Sequence, residues 1–375
     1  LLTLMHSDVS IVEINVELYK RYKMKSLQKY ILTGLFIVIV MVPVNELFAG
    51  NKDRAGEAGA SELLINPWAR SSGWGGANTA GVRGLEAMYT NVAGTAFTNS
   101  TELIFSNTQW LKGSEININT FGLTQRVSET GVLGISIMAM RFGDIPITRE
   151  DIPEGGIGTF APSYMNIGIS YSKAFSNSIY GGFNLKIISQ SIADLSSQGI
   201  AIDAGIQYVT GDMENIKFGI TLRNIGPTMK FSGDGLAIRT LLPGQESQFT
   251  VEQRSAEYEM PSQLVIGAAY DFLISEYHTI SVAGNFTSNS FFKDQYALGI
   301  EYSLRNYLMV RAGYTYEEGI TKKSDRTTAF TGPSAGLTVQ IPLNKEKGSN
   351  FAVDYSYRDT DPWSGTHSMS ARITF

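Results

Sequence analysis

From about residue 100 to the C terminus, apolar side chains recur at every second position. Phe183, Leu185 and Ile187 share one face while Asn184 and Lys186 take the other. Ile200, Ile202, Ala204, Ile206 and Tyr208 oppose Ala201, Asp203, Gly205 and Gln207, and Ile216, Phe218, Ile220 and Leu222 oppose Lys217, Gly219, Thr221 and Arg223. A period of two marks strands with two unlike faces. Fourteen such strands are expected, over 101–111, 114–127, 131–143, 163–174, 178–192, 199–210, 215–225, 261–273, 277–288, 294–304, 307–318, 332–342, 349–359 and 366–375. Their apolar faces run for about 10 residues, the length a tilted strand needs to cross a bilayer. Tyrosines gather at strand ends (Tyr302, Tyr314, Tyr316, Tyr355, Tyr357), which suits an aromatic girdle at the membrane interface. The pattern predicts an all-β fold, a transmembrane antiparallel β-barrel.

The connections sort by parity. Several that follow odd strands are long (144–162, 226–260, 319–331), whereas those after even strands are mostly short. Outer-membrane barrels have short periplasmic turns and long outside loops, so the expected location is the cell outer membrane with the long loops outside. A three-residue turn at Arg305-Asn306-Tyr307 sets facing positions that sum to 612. Glu301 then opposes Arg311 on the polar face, and a one-residue slip would pair inward with outward positions. The last strand alternates Met369, Ala371, Ile373 and Phe375 with Ser370, Arg372 and Thr374 and ends on an aromatic. Such an end resembles the recognition signal of barrel-assembly machinery, which makes Phe375 a candidate assembly signal.

Composition narrows the class. Charged residues are 17%, below the roughly 25% of an ordinary soluble domain. A net charge of −5 without a Lys/Arg cluster argues against nucleic-acid binding. With no cysteine there is no disulfide, thiolate nucleophile or Cys-based metal site.

The first 100 residues do not alternate. Residues 1–23 start on Leu and read as upstream sequence. From Met24, Lys25 and Lys29 precede an apolar run from Ile31 to Val44, and Leu47-Phe48-Ala49 suits a cleavage site, so 24–49 reads as a signal peptide. Residues 50–100 are expected to fold as a plug in the lumen or at the periplasmic mouth, and 101–375 as the barrel.

Chemical signals are sparse. His278 and His367 are not spaced as metal ligands or triad members. Gly156 to Ala161 matches G-x-G-x-x-A but does not lie between a strand and a helix. Asp359-Thr360-Asp361 is a minimal D-x-D that lacks the Gly and Glu of a calcium loop. These features give no enzyme activity and no cofactor. Glu115, Lys186, Asp203, Lys217, Arg223, Glu301, Arg311, Asp354 and Arg358 fall on the polar face and are expected to form a lumenal charge network. The outer loops carry Ile145, Pro146, Ile147, Ile152, Phe160, Leu236, Ile238, Leu241 and Leu242, apolar residues that suit a partner interface.

The segment LLINPWARSSGWGGANTA resembles the N-terminal signature of the PorV/PorQ family through Leu63, Ile65, Ala69, Arg70, Gly73, Gly75 and Ala77, with Trp74 in place of a common Met. A second block, Tyr89 to Gly94, keeps the aromatic and Asn-x-Ala-Gly but carries Thr90 and Val92 where the family has Trp and Pro. LRNIGPTMKFSGDG and MPSQLVIGAAY resemble later family elements, a strand ending in Asn-x-Gly and a return strand begun by Pro. The resemblance implies a barrel similar to the FadL transporters that serves type IX protein secretion. Its implied partners are outer-membrane lipid, a secretion translocon barrel and the signal domains of secreted cargo. The alternative is a FadL-like channel for the uptake of hydrophobic small molecules.

Overall fold

The computed structural model describes residues 54–241, 243–244, 247–344 and 348–375. The upstream segment 1–23 and the signal peptide 24–49 lie outside the described residues. Eighteen strands run in chain order: β1 Thr101–Trp110, β2 Ile116–Arg126, β3 Gly131–Arg141, β4 Ile145–Pro146, β5 Thr159–Phe160, β6 Ser163–Ala174, β7 Ile179–Ile192, β8 Leu195–Thr210, β9 Ile216–Ile225, β10 Ala237–Leu241, β11 Gln248–Glu252, β12 Gln263–Ser275, β13 His278–Asn289, β14 Gln295–Leu304, β15 Leu308–Glu317, β16 Phe330–Asn344, β17 Ser349–Thr360 and β18 Thr366–Thr374. Fourteen of them form one closed antiparallel barrel, in which β1 pairs with both β2 and β18. The other four make two short hairpins, β4–β5 and β10–β11, inside the long loops.

The alternation sets which face meets which solvent. Outward positions are large, apolar and exposed, as at Phe105 (54%), Ile206 (58%) and Leu298 (68%). Closing the sheet leaves no unpaired strand edge, which is how strands can stand in hydrocarbon. A closed barrel with an exposed apolar wall of this kind is an outer-membrane protein. Among the described residues no helix is long and apolar enough to cross a membrane; the crossing is made by strands.

Register follows the turns. Leu304 faces Leu308 across Arg305, Asn306 and Tyr307, with Arg305 and Asn306 at positive φ (51° and 55°), and Glu301 opposes Arg311. Between β8 and β9 the register shifts at Asp203, where Asn224 bulges with φ 59°. Its backbone N–H donates to Asp203 Oδ1 at 2.8 Å, and its side chain donates to the Pro261 carbonyl at 3.0 Å. A short amide side chain tolerates this left-handed conformation where most residues would strain. The Asn-x-Gly pattern seen in the sequence is therefore a bulge, beyond which Ile225 still pairs with Ile202 as β9 ends. Gly226 closes it, because a Cβ there would lie 2.2 Å from the Ile200 carbonyl oxygen.

All the long connections leave one end of the barrel, and the ends of β1 and β18 meet at the other, where the Phe375 N–H donates to the Thr101 carbonyl at 2.8 Å. Epitope tags placed near residue 150 or residue 254 should be reached by antibody on intact cells, and a tag at Gly211 should be reached only after the outer membrane is permeabilised. The reverse labelling pattern would mean that the barrel is inverted.

Candidate functional site

Residues 54–100 thread the lumen from the long-loop end to the short-turn end. At the long-loop end Arg54 donates to Glu259 at 2.6 Å and its guanidinium lies 4.2 Å from the Phe291 ring centroid. Leu63 packs with Ile188, Ala201, Met229 and Met260, and Trp68 with Leu85, Met88 and Ile104. At the short-turn end Arg126 donates to the Ala96 carbonyl at 3.0 Å. The helices in this segment, Ala69–Ser72 and Ala87–Thr90, are a single turn each, so many of its backbone groups need partners outside the segment. The inward barrel face supplies them. Thr315 donates to the Gly75 carbonyl, Ser106 to that of Pro67, Gln207 to those of Thr79 and Val82, and Asn91 of the plug donates to the Ile206 carbonyl of β8. The hydroxyl and amide side chains on the polar strand face are thus the hydrogen-bonding counterpart of an irregular plug.

Inward glycines provide the room. A Cβ on Gly313 would lie 2.3 Å from the Trp74 carbonyl oxygen, and one on Gly219 would lie 2.7 Å from that of Thr79. Gly122, Gly134, Gly182, Gly205, Gly299 and Gly336 press on plug residues in the same way or nearly so. The sequence carried this signal as glycines at inward positions on successive strands, but a glycine alone does not say what it must accommodate.

The inward charges do not form one network. Arg311 donates from Nε to Glu301 at 2.7 Å and from Nη2 to Thr338 at 2.7 Å, Thr338 donates to Asp354, and Arg372 lies 3.7 Å from Asp354. Arg70 of the plug approaches Glu301 at 3.6 Å, which ties the plug to this cluster. Lys186 pairs with Asp203 at 2.7 Å and donates to Asn224, while Lys217 pairs with Asp271. Arg223 and Arg358 instead lie over aromatic rings, Tyr89 at 4.1 Å and Phe330 at 3.8 Å. Glu115 is a correction: β2 begins at Ile116, so Glu115 sits in the exposed β1–β2 loop at positive φ, outside the lumen. The sequence reading passed over Arg70, Asp271 and Arg372, although the alternation of the last strand already placed Arg372 inward.

The outer-loop residues divide between the two hairpins. Ile145 and Pro146 pair with Phe160 and Thr159, and the Ile147 N–H donates to the Gly158 carbonyl. Ile152 is exposed at the β4–β5 tip, and the loop glycines of the G-x-G-x-x-A match lie in this same hairpin. Leu236 ends a short turn that leads into β10, where Ile238 and Leu241 are exposed; Leu242 lies outside the described residues. The D-x-D oxygens are engaged by the protein itself. Asp359 accepts from Thr331 and Tyr357, and Asp361 is clamped by Lys323 and Arg326, each at 3.2 Å. Lys323 first, and then Arg326, hold the Asp361 carboxyl below its ordinary pKa. This loop clamp is present at neutral pH and is lost as pH falls through the lowered value. His278 and His367 bond to Tyr302 and Tyr355 at opposite ends of the wall.

Between the plug and the wall of β2, β3, β6 and β7 lies a cavity of about 50 Å³ lined by Leu63, Ile65, Pro67, Trp68, Met88 and Met138 on its apolar side and by Lys186, Asn184 and Asn166 on its polar side. A second space of about 200 Å³, lined by Arg70, Arg83, Lys217, Glu86 and Glu301, lies farther toward the short-turn end.

Among solved structures the barrel is similar to the Pseudomonas putida toluene transporter TodX, with a TM-score of 0.53 and 11% identity over 82% of this chain and 97% of that one. It is similar also to the CymD monoaromatic hydrocarbon channel, with a TM-score of 0.50 and 14% identity over 83% of this chain and 98% of that one. At these identities the likeness is one of fold. No family model and no curated protein matches the chain.

Proposed function

We propose that the protein passes small hydrophobic molecules across the outer membrane, the uptake-channel alternative of the sequence reading. The observation that carries this reading is the apolar cavity walled by Trp68, Met88 and Met138 beside the plug, in a barrel whose structural relatives include a toluene transporter and a monoaromatic hydrocarbon channel. Its volume of about 50 Å³ is a third of the roughly 150 Å³ that holds benzene in an engineered protein cavity. A guest of that size must therefore displace plug side chains, and passage is coupled to movement of residues 61–97. The polar contacts that hold this segment are neutral hydrogen bonds for the most part, each contributing only about 0.5–1.5 kcal/mol net, and they act together with the buried apolar clusters around Leu63, Trp68 and Trp74.

Binding can be read without transport. Trp68 is 2% exposed and lines the cavity, so a brominated aromatic that enters should quench its fluorescence. Quenching that saturates in the wild type and falls by more than half in Trp68→Phe supports the site. Equal quenching in the two proteins would place the ligand elsewhere.

The exposed apolar residues Ile238, Leu241 and Phe249 on the β10–β11 hairpin favour a second reading, in which the outer loops bind a protein partner, as type IX secretion would require. Crosslinking from this hairpin in native membranes should then capture a translocon barrel or cargo signal domain, and capture that survives Leu241→Asp with Phe249→Asp would rule the hairpin out.

A further inference from the structure

The apolar belt of the barrel has a notch. Across β8–β9 four outward apolar pairs stack along the wall: Tyr208 with Phe218, Ile206 with Ile220, Ala204 with Leu222 and Ile202 with Ile225. Across β14–β15 there are five: Leu304 with Leu308, Tyr302 with Val310, Ile300 with Ala312, Leu298 with Tyr314 and Tyr296 with Tyr316. Across β1–β2 there are two, Leu103 with Leu123 and Phe105 with Phe121. The next two outward pairs toward the long-loop end are Asn107 with Asn119 and Gln109 with Asn117. On the far side of β2, Arg141 of β3 stands opposite Asn117. Two lost pairs span four residues, about 13 Å along a strand and about 10 Å along the membrane normal for a strand tilted by about 40°.

These side chains do not turn inward. Ser106 and Thr108, the neighbours of Asn107, take the buried positions, while Asn117, Asn119 and Arg141 are exposed. Asn107 donates to Asn119 at 2.9 Å, which uses one donor and one acceptor of the pair and leaves the rest of both amides without protein partners. Arg141 and, at the lip, Lys112 make no ion pair among the described residues. Glu115 and Asp144 belong to loops beyond the strand ends. Asn117 donates to the Glu115 carbonyl at 3.2 Å; the amide groups still open in this wall would cost several kcal/mol in contact with hydrocarbon, so the notch calls for a polar occupant.

We infer that the β1–β2 notch docks the phosphorylated sugar headgroup of an outer-leaflet glycolipid. Neutral amides suit sugar hydroxyls, a guanidinium suits a phosphate by bidentate hydrogen bonding, and the notch ends beside the β1–β2 turn at the long-loop end, where such headgroups lie. A protein partner fits less well. Interfaces are built around a buried apolar or aromatic anchor with charge depleted at the centre, whereas the notch centres on four amides and an arginine, with Met369 and the Phe105–Phe121 pair only at its edges. This inference uses the barrel and its membrane location and does not depend on what the lumen transports.

The test uses the full barrel purified in mild detergent, with lipopolysaccharide as the probe and native mass spectrometry as the readout. The triple variant Asn107→Leu, Asn119→Leu, Arg141→Leu should retain at least tenfold less lipopolysaccharide than the wild type, while a control change at another outward polar position, Gln198→Leu, should retain it normally. In vesicles of phosphatidylcholine alone the triple variant should unfold at an equal or higher denaturant concentration than the wild type, because its wall then matches the hydrocarbon; this separates loss of binding from loss of fold. Equal retention by variant and wild type overturns the inference, as does a loss of the same size in the control. Recovery of a membrane protein crosslinked at residue 119 in place of glycolipid overturns it too.

Discussion

Replacing Arg311 with leucine is expected to destabilise the barrel by about 3–5 kcal/mol. Arg311 is 2% exposed and holds Glu301 and Thr338 together, and Thr338 in turn donates to Asp354. Removing the guanidinium leaves Glu301 with only the 3.6 Å approach of Arg70, while Asp354 keeps Thr338, Ser370 and Arg372. The cost comes from stranding the buried Glu301 carboxylate; the pair need not be worth that much in itself. The double variant Glu301→Gln, Arg311→Met should accordingly recover most of the loss, since neither side chain then carries an uncompensated charge. Urea unfolding of the barrel in lipid vesicles, followed by loss of heat-modifiable migration, measures both. A single variant as stable as the wild type would show that water, and not Arg311, solvates Glu301.

Substitution of Gly313 by valine should open the lumen. The added Cβ would meet the carbonyl oxygen and carbon of Trp74 at 2.3 and 2.5 Å, and backbone atoms cannot rotate aside as a flexible side chain would. Overpacking of this kind costs about 1–3 kcal/mol, which corresponds to a shift of about 5- to 150-fold toward states with the plug displaced. Planar-bilayer recordings should show more frequent open events in Gly313→Val, and cells should become more sensitive to a large hydrophilic antibiotic. Gly284→Ala is the control, because Gly284 faces outward and its nearest neighbour is the side chain of Leu298 at 3.1 Å. If both variants behave as the wild type, the packing of the plug against the glycine-bearing wall does not seal the lumen.

The barrel was legible in the sequence because a lipid-facing wall imposes a strict period of two, and that period fixes both which residues face lipid and how hairpins register. The Glu301–Arg311 pairing needed only the parity of a three-residue turn. The loop hairpins β4–β5 and β10–β11 were not legible, since short ribbons in polar surroundings carry no such period. The lumen was half legible. Alternation located Lys186, Asp203, Lys217, Glu301, Arg311 and Asp354 inside the barrel, but pairing across the lumen depends on the path of residues 54–100, which has no repeating pattern to read. Arg70, which reaches Glu301 from the plug, and Tyr89, which lies under Arg223, could be placed only by that path. Glu115 was misplaced because the expected strand began at 114, two residues before β2 starts, whereas the positive φ of Glu115 keeps it in the preceding turn.

Transport of a small aromatic tests the uptake reading most directly. Uptake of radiolabelled toluene should be measured in Gram-negative cells whose outer membrane carries the wild-type protein, the Met138→Arg variant or neither. Met138 is 7% exposed and forms part of the apolar wall of the cavity beside the plug, so a guanidinium there would fill and charge the path without touching the lipid face. Uptake should be several-fold above the empty cells for the wild type and close to the empty-cell rate for Met138→Arg, at equal levels of folded barrel. Wild-type uptake no faster than that of cells lacking the protein would contradict the uptake reading.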